Sequence, residues 1–208
     1  MTSPSDVPAP DVARSPGRPL SPELSEQLTS VAVDILADEG WGRLNSDRVA
    51  ARARAGKAGI YRRWPTMAAL ARHAVTGFQL VRTPDDTGSL RGDLTELLTP
   101  WTRPLDREER AAASLVGAAR HDPELRAGLE SAVVAPLAGA LHEITDRSAD
   151  RGAVVPENRR ALLGTLVQAL WWERYTAFAV PLSSAEVDEL VSEVLLPVVE
   201  PSAAAVSA

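Results

Sequence analysis

The sequence contains no cysteine, and it also lacks long apolar runs and a signal peptide. Without a thiol among its 208 residues, the chain can form no disulfide, no thiolate metal site and no cysteine nucleophile. It has no run of 18 apolar residues, the length that a membrane-spanning helix needs. Residues 1–20 lack the basic start and apolar centre of a signal peptide. We therefore expect a cytoplasmic protein with no membrane partner.

The patterns that mark common enzymes are also missing. The three histidines, His73, His121 and His142, stand alone, and there is no HExxH pair, glycine-rich phosphate loop or nucleophile elbow. Asp85 and Asp86 are adjacent, but they lie in the turn-like TPDDTG, which favours a loop over a metal site. We predict that the protein is not an enzyme and has no catalytic residue, no metal and no cofactor.

The charge of the chain is unevenly distributed. The whole sequence carries a formal charge of −6, which by itself argues against a nucleic-acid partner. Between Trp41 and Trp64, however, seven basic residues stand against Asp47 alone, so this segment carries +6 and the remainder −12. Concentrated positive charge on a short segment of an acidic protein is typical of a DNA-contacting module. The basic residues are Arg43, Arg48, Arg52, Arg54, Lys57, Arg62 and Arg63.

Helical spacing and capping residues predict an N-terminal unit over residues 21–66. The Pro- and Ser-rich segment 1–20 has no periodicity and predicts a disordered arm. Apolar residues then recur at helical spacing, interrupted by caps, glycine and proline. The first predicted helix runs from the Ser21-Pro22 cap to Gly40, and a short second one starts at Asn45 and Ser46 and includes Ala50. A third helix follows Gly56 and stops at Pro65, and a fourth runs from Met67 to about Leu80, before a loop at Thr83–Gly88.

The rest of the chain, residues 67–200, predicts a helical domain followed by a disordered tail at 201–208. One helix includes Leu90 and Trp101, and a long one opens at Asp122 and Pro123 and ends before the polar run Asp146–Gly152. A kink is expected at Pro136. Since no period-two strand pattern appears, we predict an all-α protein of about nine helices.

The last two helices, over about 156–199, are more apolar than one inward stripe requires. The second of them begins at a capping box, Ser183 to Glu186. Two helices with apolar area left over can bury it against their copies in a second subunit, as a four-helix bundle around a two-fold axis. We therefore expect a homodimer that pairs through this region.

One segment carries a resemblance to a known family. The stretch VAARARAGKAGIYRRWPTMAALA, Val49–Ala71, closely resembles the signature of the TetR family, which runs from Ile-Ala through Tyr and an aromatic residue to a helix-starting Pro-Ser-Lys. Gly40 and Trp41 match the family's Gly-aromatic pair. The likeness covers roughly Leu28–Leu70; beyond it the chain resembles the family only in helical layout. It implies a dimeric repressor that binds operator DNA and is released by a small-molecule effector.

The resemblance also implies which residues contact DNA. It implies a helix-turn-helix over Asn45–Trp64, with the recognition helix Lys57–Arg63 in the major groove. The helix N-terminus at Asn45 would bind a phosphate, and Lys57 or Arg62 would read a guanine. The implied core is Val49, Ala50, Ala53, Ile60 and Trp64. The implied contacts are Asn45, Ser46, Lys57, Ala58, Gly59, Tyr61, Arg62 and Arg63.

The alternative for these basic residues is an ordinary solvated face, and it stays open for Arg52 and Arg54. Three positions also depart from the family pattern. Arg54 takes the turn position that is usually Gly, where left-handed geometry costs about 1 kcal/mol, unless Gly56 absorbs the bend. Gly59 replaces a better helix former, and Met67 replaces a lysine that commonly binds phosphate. These departures motivate a rival interpretation, a helical protein-interaction module with weak or lost DNA binding.

An effector pocket is the second expected site. Four aromatic residues fall within eight positions near the end of the chain, and two others lie on earlier helices. Aromatic side chains with a few polar groups suit a small apolar or cationic ligand, although packing in the core or the dimer seam is the favoured explanation for any single one of them. The candidates are Phe78, Trp101, His121, Trp171, Trp172, Tyr175 and Phe178, with Glu173 and Arg174 as further polar partners.

Overall fold

The computed structural model describes residues 21–176 and 180–199, and all the regular structure within them is helical. The predicted arm at 1–20, the tail at 201–208 and Phe178 lie outside the described residues. The helices are α1 (Pro22–Glu39), α2 (Ser46–Arg52), α3 (Lys57–Tyr61), α4 (Met67–Thr76), α5 (Leu90–Leu98), α6 (Arg107–Ala113), α7 (Val116–Ala119), α8 (Pro123–Leu129), α9 (Ala135–Asp150), α10 (Glu157–Thr176), α11 (Ser184–Glu189) and α12 (Leu196–Val199).

Several of these helices join end to end. A π-helical turn, Glu130–Val134, connects α8 to α9 without a break, and a second, Leu190–Leu195, connects α11 to α12. When α6 and α7 are counted together, the described residues form nine helical rods, which confirms the all-α prediction. Over the same ranges, no helix combines the length and the hydropathy needed to cross a membrane.

Side-chain caps start the helices that build the N-terminal unit. Ser21 caps α1, Asn45 caps α2 and Thr66 caps α4, and each side chain accepts a hydrogen bond from the amide three residues ahead. A cap of this kind stabilises a helix by about 1 kcal/mol. Gly40 ends α1 with φ +82°, a left-handed conformation that glycine adopts without strain. Both ends of the predicted first helix are therefore confirmed.

The N-terminal and C-terminal parts pack against each other through α1, α4, α6 and α8. Helix α1 contacts α4 and α6, and α4 lies along α8. The approach of α4 to α8 is close at Gly128, where an added Cβ would lie 2.8 Å from Val75 Cγ2 and 3.2 Å from Arg72 Cα. Since a larger residue would not fit there, we infer that Gly128 sets the separation of these two helices.

A buried carboxylate holds the loop between α4 and α5 against the end of α9. Asp93 is fully buried and accepts hydrogen bonds from Thr87 N (2.8 Å), Thr87 Oγ1 (2.7 Å) and Arg151 Nη2 (3.0 Å). Burial alone would raise the pKa of Asp93, but these hydrogen bonds and the Arg151 charge hold it below its usual range. The loop is therefore fixed at its α5 end.

Both π-helical turns come just before a proline inside a helix. The first, Glu130–Val134, precedes Pro136, and the second, Leu190–Leu195, precedes Pro197. A proline removes a backbone donor and crowds the preceding turn, so a wider turn relieves the contact. At Pro136, where a kink was expected, the structure has this π-helical turn, and the kink itself stays a prediction.

Several predicted boundaries differ from the structure. Helix α4 ends at Thr76 rather than near Leu80, so Phe78 follows the helix instead of lying on it. Helix α5 ends at Leu98, and Trp101 lies in a 3₁₀ turn, Thr99–Thr102, because Pro100 cannot donate to a continuing α-helix.

Two further ends also shift. Helix α9 continues to Asp150 because the residues assigned to a loop make helical contacts: Ser148 is buried, and Arg147 pairs with Glu143 one turn back. Helix α3 ends at Tyr61, two residues earlier than predicted. Residues 62–64 close it with a turn, since a residue before Pro65 disfavours the helical conformation.

Candidate functional site

Helices α2 and α3 form a compact pair with a shared apolar core. Val49, Ala53, Ile60 and Trp64 are buried, as the sequence predicts, whereas Ala50 is only partly buried. The four residues between the helices, 53–56, make the turn. This arrangement leaves the opposite surface of α3 facing solvent.

The turn contains Arg54, which among the described residues is the only one other than glycine with a left-handed backbone conformation. Arg54 has φ +48°, whereas Gly56 has φ −81° and so does not absorb the bend. A side chain in this conformation costs about 1 kcal/mol relative to glycine. The strain expected from the sequence at Arg54 is therefore present, and the Arg54 side chain is directed outward into solvent.

The start of α3 carries an ion pair with α2. Lys57 Nζ lies 2.5 Å from Asp47 Oδ1, and both side chains are exposed. The hydrogen bond to Asp47 and its charge raise the pKa of Lys57 above its usual value. A phosphate that bound Lys57 would have to compete with this exposed carboxylate.

Tyr61 joins the two helices at the exposed end of α3. Its hydroxyl donates to Ser46 Oγ at 3.1 Å, while 49% of the residue stays exposed. Ser46 itself is only 8% exposed, so its hydroxyl is used inside the motif. Asn45 uses Oδ1 as the cap of α2. Of the two predicted phosphate contacts at this helix start, Asn45 is exposed and Ser46 is buried.

Neighbouring arginines at the end of α3 have opposite surroundings. Arg63 is half-buried and bonds α1 and its own helix: Nε donates to Ser25 Oγ (2.8 Å), Nη2 to Ser21 O (3.1 Å) and Nη1 to Gly59 O (2.9 Å). Arg62 is exposed and has no ion pair or hydrogen bond from its side chain among the described residues. The structure thus places Arg62 on the surface of α3 and Arg63 in the contact with α1.

Two small residues lie on the same surface. Ala58 is exposed and Gly59 is half-exposed. A Cβ added to Gly59 would meet only Arg63 Nη1, at 3.8 Å, so the fold does not require glycine here. The absence of a side chain at this point leaves the backbone of α3 open to close approach by a partner.

The other basic residues divide into paired and unpaired groups. Arg48 and Arg52 both pair with Glu39 of α1, which favours the solvated, structural interpretation of Arg52. Arg43, Arg54 and Arg62 are exposed and make no ion pair within the part of the chain that the structure describes. These three guanidinium groups, together with Lys57, make up the accessible positive charge around α3.

In the C-terminal part, three of the predicted pocket aromatics do come together. The rings of Trp101 and Trp171 meet edge to face with centroids 5.3 Å apart, and Tyr175 lies one helical turn beyond Trp171. All three residues are buried. Burial in this apolar setting raises the pKa of the Tyr175 hydroxyl, which therefore stays protonated.

The remaining candidates lie elsewhere. Trp172 is half-buried in a separate groove of about 340 Å³ beside Leu129 and Gln168, although its ring is 6.2 Å from Tyr175. His121 is exposed in the turn after α7, and Phe78 is partly buried beyond α4. These three do not line a common cavity with Trp101 and Trp171.

The structure adds a charged residue that the sequence analysis did not select, Glu109, and places the polar candidate Arg174 against it. Glu109 of α6 and Arg174 of α10 are both buried, and Glu109 Oε1 lies 3.6 Å from Arg174 Nη2. Glu109 Oε2 accepts from Arg103 Nη1 (2.5 Å) and from the Asp106 amide (2.8 Å). A cavity of about 950 Å³ reaches Glu109 and Trp171. The Asp106–Glu109 capping box was the only local sequence signal for this cluster.

Comparison with family models matches both parts of the chain. A model described as bacterial regulatory proteins, tetR family, matches residues 28–74, and one described as tetracyclin repressor-like, C-terminal domain, matches residues 84–194. The first spans the α1–α4 region that holds the basic surface. The second spans the helices that hold the aromatic cluster.

Individual proteins agree with the family models. The chain is 30% identical to a DNA-binding transcriptional repressor TetR of Mycobacteroides abscessus, over 86% of this chain and 95% of that one. It is 34% identical to an uncharacterised HTH-type regulator of Mycobacterium tuberculosis, over 65% and 67%. A crystal structure of a TetR family transcription regulator superposes with a TM-score of 0.56 and 26% identity, covering 86% of this chain and 100% of the other.

Proposed function

Because the chain belongs to the TetR family of bacterial transcriptional regulators, we propose that it is a homodimeric repressor that binds a palindromic operator through α2 and α3 and is released by a small-molecule effector. Its target, chromosomal DNA, would place it in the cytoplasm. The proposal has three parts, which are the DNA surface, the dimer and the effector site.

The position of Arg62 is the observation that carries the DNA surface. It lies at the exposed end of α3, next to Tyr61 and beyond the small residues Ala58 and Gly59. An arginine free of partners within the described chain can donate two hydrogen bonds to the O6 and N7 of a guanine in the major groove. Tyr61 would contact the backbone phosphate, and Lys57 would do so after leaving Asp47.

The dimer would form through exposed apolar stripes on the last two helical rods. Leu162 of α10 is 46% exposed and Val194, between α11 and α12, is 38% exposed. Partly buried residues continue each stripe at intervals of four, as expected for helices that pack side by side. The stripes are Leu162, Leu166 and Leu170 on α10, and Leu190, Val194 and Val198 on the final rod. Pairing across a two-fold axis would bury both.

The effector would act by changing the separation of the two DNA surfaces. A dimer grips a palindrome when its two recognition helices reach successive major grooves, about 34 Å apart. A ligand that binds more tightly to a protomer arrangement with another spacing lowers operator affinity by linkage. The buried cluster around Trp101 and Trp171 is the candidate site for that ligand.

Selection of bound DNA from a random pool tests this proposal. We expect enrichment of an inverted repeat, with binding that weakens steeply as salt rises because phosphate contacts release counterions. Recovery of no shared sequence, or of binding that ignores sequence, would instead favour the rival protein-interaction module. The strained Arg54 and the Asp47-paired Lys57 are the observations in favour of that rival.

A further inference from the structure

Four buried polar atoms without hydrogen-bond partners lie in one cluster between α5 and α10. They are Trp101 Nε1, Trp171 Nε1, Arg174 Nε and Tyr175 Oη, and none finds a partner in the described residues. A buried polar group left unpaired costs about 1 to 3 kcal/mol. Such groups are rare in proteins, and four of them together indicate that a binding partner is missing.

The chemistry of these atoms defines what that partner must supply. An indole N–H and a guanidinium Nε–H can only donate hydrogen bonds. The Tyr175 hydroxyl stays protonated, since burial raises its pKa, so it can donate as well. A group that satisfies all four atoms must therefore consist of hydrogen-bond acceptors.

The charge of Arg174 favours a negatively charged ligand. Its Nη atoms donate to the backbone carbonyls of Pro100 and Arg103, at 3.1 and 3.2 Å. Its nearest carboxylate oxygen, Glu109 Oε1, is 3.6 Å away, and Glu109 makes its closer contacts with Arg103 instead. A buried guanidinium without a carboxylate at hydrogen-bond distance is stabilised by a negative charge that approaches it.

Space for a ligand exists on two sides of the cluster. The cavity of about 950 Å³ touches Trp171 and Glu109. A second cavity, of about 240 Å³, touches Trp101 and Arg174 and is walled by Leu170, Leu182 and Leu190. The second cavity is largely apolar except for Arg174 and Glu173, so it suits a hydrocarbon or aromatic body.

We propose that the effector is a small organic carboxylate whose oxygens are held by Trp101 and Arg174, the two members of the cluster that line the cavity beside Leu182, while its apolar body fills that cavity at the border of the proposed dimer seam. This inference rests on the proposed function, because it names the ligand class of the effector site. It replaces the apolar or cationic ligand that the aromatic residues alone suggested.

The position of α6 connects this site to the DNA-binding unit. Glu109 of α6 faces Arg174, while two arginines on the same helix bind α1: Arg107 Nε lies 2.7 Å from Asp34 Oδ1, and Arg110 Nη2 lies 3.5 Å from Asp38 Oδ1. A carboxylate that binds Arg174 competes with Glu109 and weakens the attraction that holds α6 against α10. Any shift of α6 then reaches α1 through these pairs.

Binding of matched probes of opposite charge tests the proposal. We would titrate the DNA-free protein with benzoate, naphthoate and hexanoate, and in parallel with benzylammonium, naphthylmethylammonium and hexylammonium. Intrinsic tryptophan fluorescence reports binding, because two of the five tryptophans belong to the cluster. We expect saturable quenching by at least one carboxylate and none by its ammonium counterpart.

The variant Trp101→Phe tests the proposed contact. It removes one proposed donor, so carboxylate affinity should fall about tenfold. Trp171→Phe is the matched control, since it also shortens a buried indole with an unpaired N–H but lines a different cavity, and it should leave carboxylate affinity unchanged. Both variants lose part of a buried ring, so similar falls in melting temperature do not distinguish them.

Preference for the ammonium probes, binding of neither series, or equal carboxylate affinity in Trp101→Phe and Trp171→Phe would overturn the proposal. These titrations contain no DNA, so an absence of carboxylate binding would not contradict the proposed repressor function. In the same way, an absence of operator binding would not change the interpretation of the titrations.

Discussion

The two parts of the molecule differ in where their unpaired polar groups lie. In the α1–α4 region one buried polar atom, Thr29 Oγ1, lacks a partner, while Arg63 bonds α1, Tyr61 bonds Ser46 and the exposed Arg62 is left at the surface. In the C-terminal region four such atoms lie in one cluster. There the unpaired atoms of Trp101, Trp171, Arg174 and Tyr175 are inside.

This difference indicates how each region meets its partner. A partner of the first region approaches an exposed surface that is already folded, so substitutions there should change binding more than stability. A partner of the second region enters the interior and completes a set of hydrogen bonds. Removing an unpaired interior atom that holds the ligand should therefore reduce ligand affinity.

The largest expected effect comes from breaking the dimer, which presents the first region twice. Leu162→Glu places a charge in the proposed seam, so the protein should become monomeric. Operator affinity should then fall about 100- to 10,000-fold, because a monomer has no second DNA-binding unit to hold the other half-site. Analytical ultracentrifugation and a gel-shift titration measure both.

The matched control is Val154→Glu, which changes an apolar residue that is 70% exposed in the loop before α10. It should leave both assembly and operator affinity unchanged. A dimer that survives Leu162→Glu would place the seam elsewhere.

Arg62 and Arg63 offer the sharpest test of the surface region, because the residues are adjacent and identical in type. Arg62→Ala should weaken operator binding by about tenfold or more for each half-site, with little change in melting temperature. Arg63→Ala should instead lower the free energy of unfolding by about 1 to 2 kcal/mol, since three hydrogen bonds are lost.

Thermal melts and anisotropy titrations of both variants separate the two outcomes. If the variants exchanged roles, with Arg62→Ala unfolding easily and Arg63→Ala losing only DNA affinity, the assignment of the α3 surface would be wrong.

A smaller effect is expected at the turn of the helix-turn-helix. Arg54→Gly relieves the left-handed backbone at φ +48° and should raise the free energy of unfolding by about 1 kcal/mol. The control Arg43→Gly changes an exposed arginine without a positive φ and should bring no gain. Chemical denaturation of the two variants checks this, and a loss of stability in Arg54→Gly would contradict it.

The smallest effect concerns the number of phosphate contacts. Met67 lies at the first position of α4, where the likeness to the TetR signature implies a phosphate-binding lysine. Met67→Lys should steepen the log–log salt dependence of operator binding by about 0.9 per added contact. Anisotropy titrations over a salt series measure this slope, and an unchanged slope would show that this position does not reach the backbone.

The sequence allowed much of the fold to be predicted because its signals are local. Ser21 and Gly40 fix both ends of α1, and the Ser183–Glu186 capping box begins α11 as expected. The strain at Arg54 also followed from one position. The ends of α4 and α9 were placed wrongly, although Gly77 follows the first and Gly152, with a positive φ, follows the second.

The candidate sites were predicted less completely, since they depend on contacts between distant segments. The pattern around α3 could not show that Arg63 turns towards α1, because that depends on how Ser25 and Ser21 pack against it. Likewise, Glu109 and Arg174 are 65 positions apart, and only the packing of α6 on α10 brings them together. Trp101, Trp171 and Tyr175 lie together, whereas His121 and Phe78 lie apart from them, and their role in ligand binding stays a prediction.

The most direct test of the account is an anisotropy titration with three DNA duplexes of equal length. One carries the full inverted repeat recovered by selection, one a single half-site and one a scrambled sequence. The account predicts one dimer per full repeat and affinity for the half-site at least about 100-fold lower. Equal affinity for all three duplexes, or binding of a single protomer to the full repeat, would contradict it.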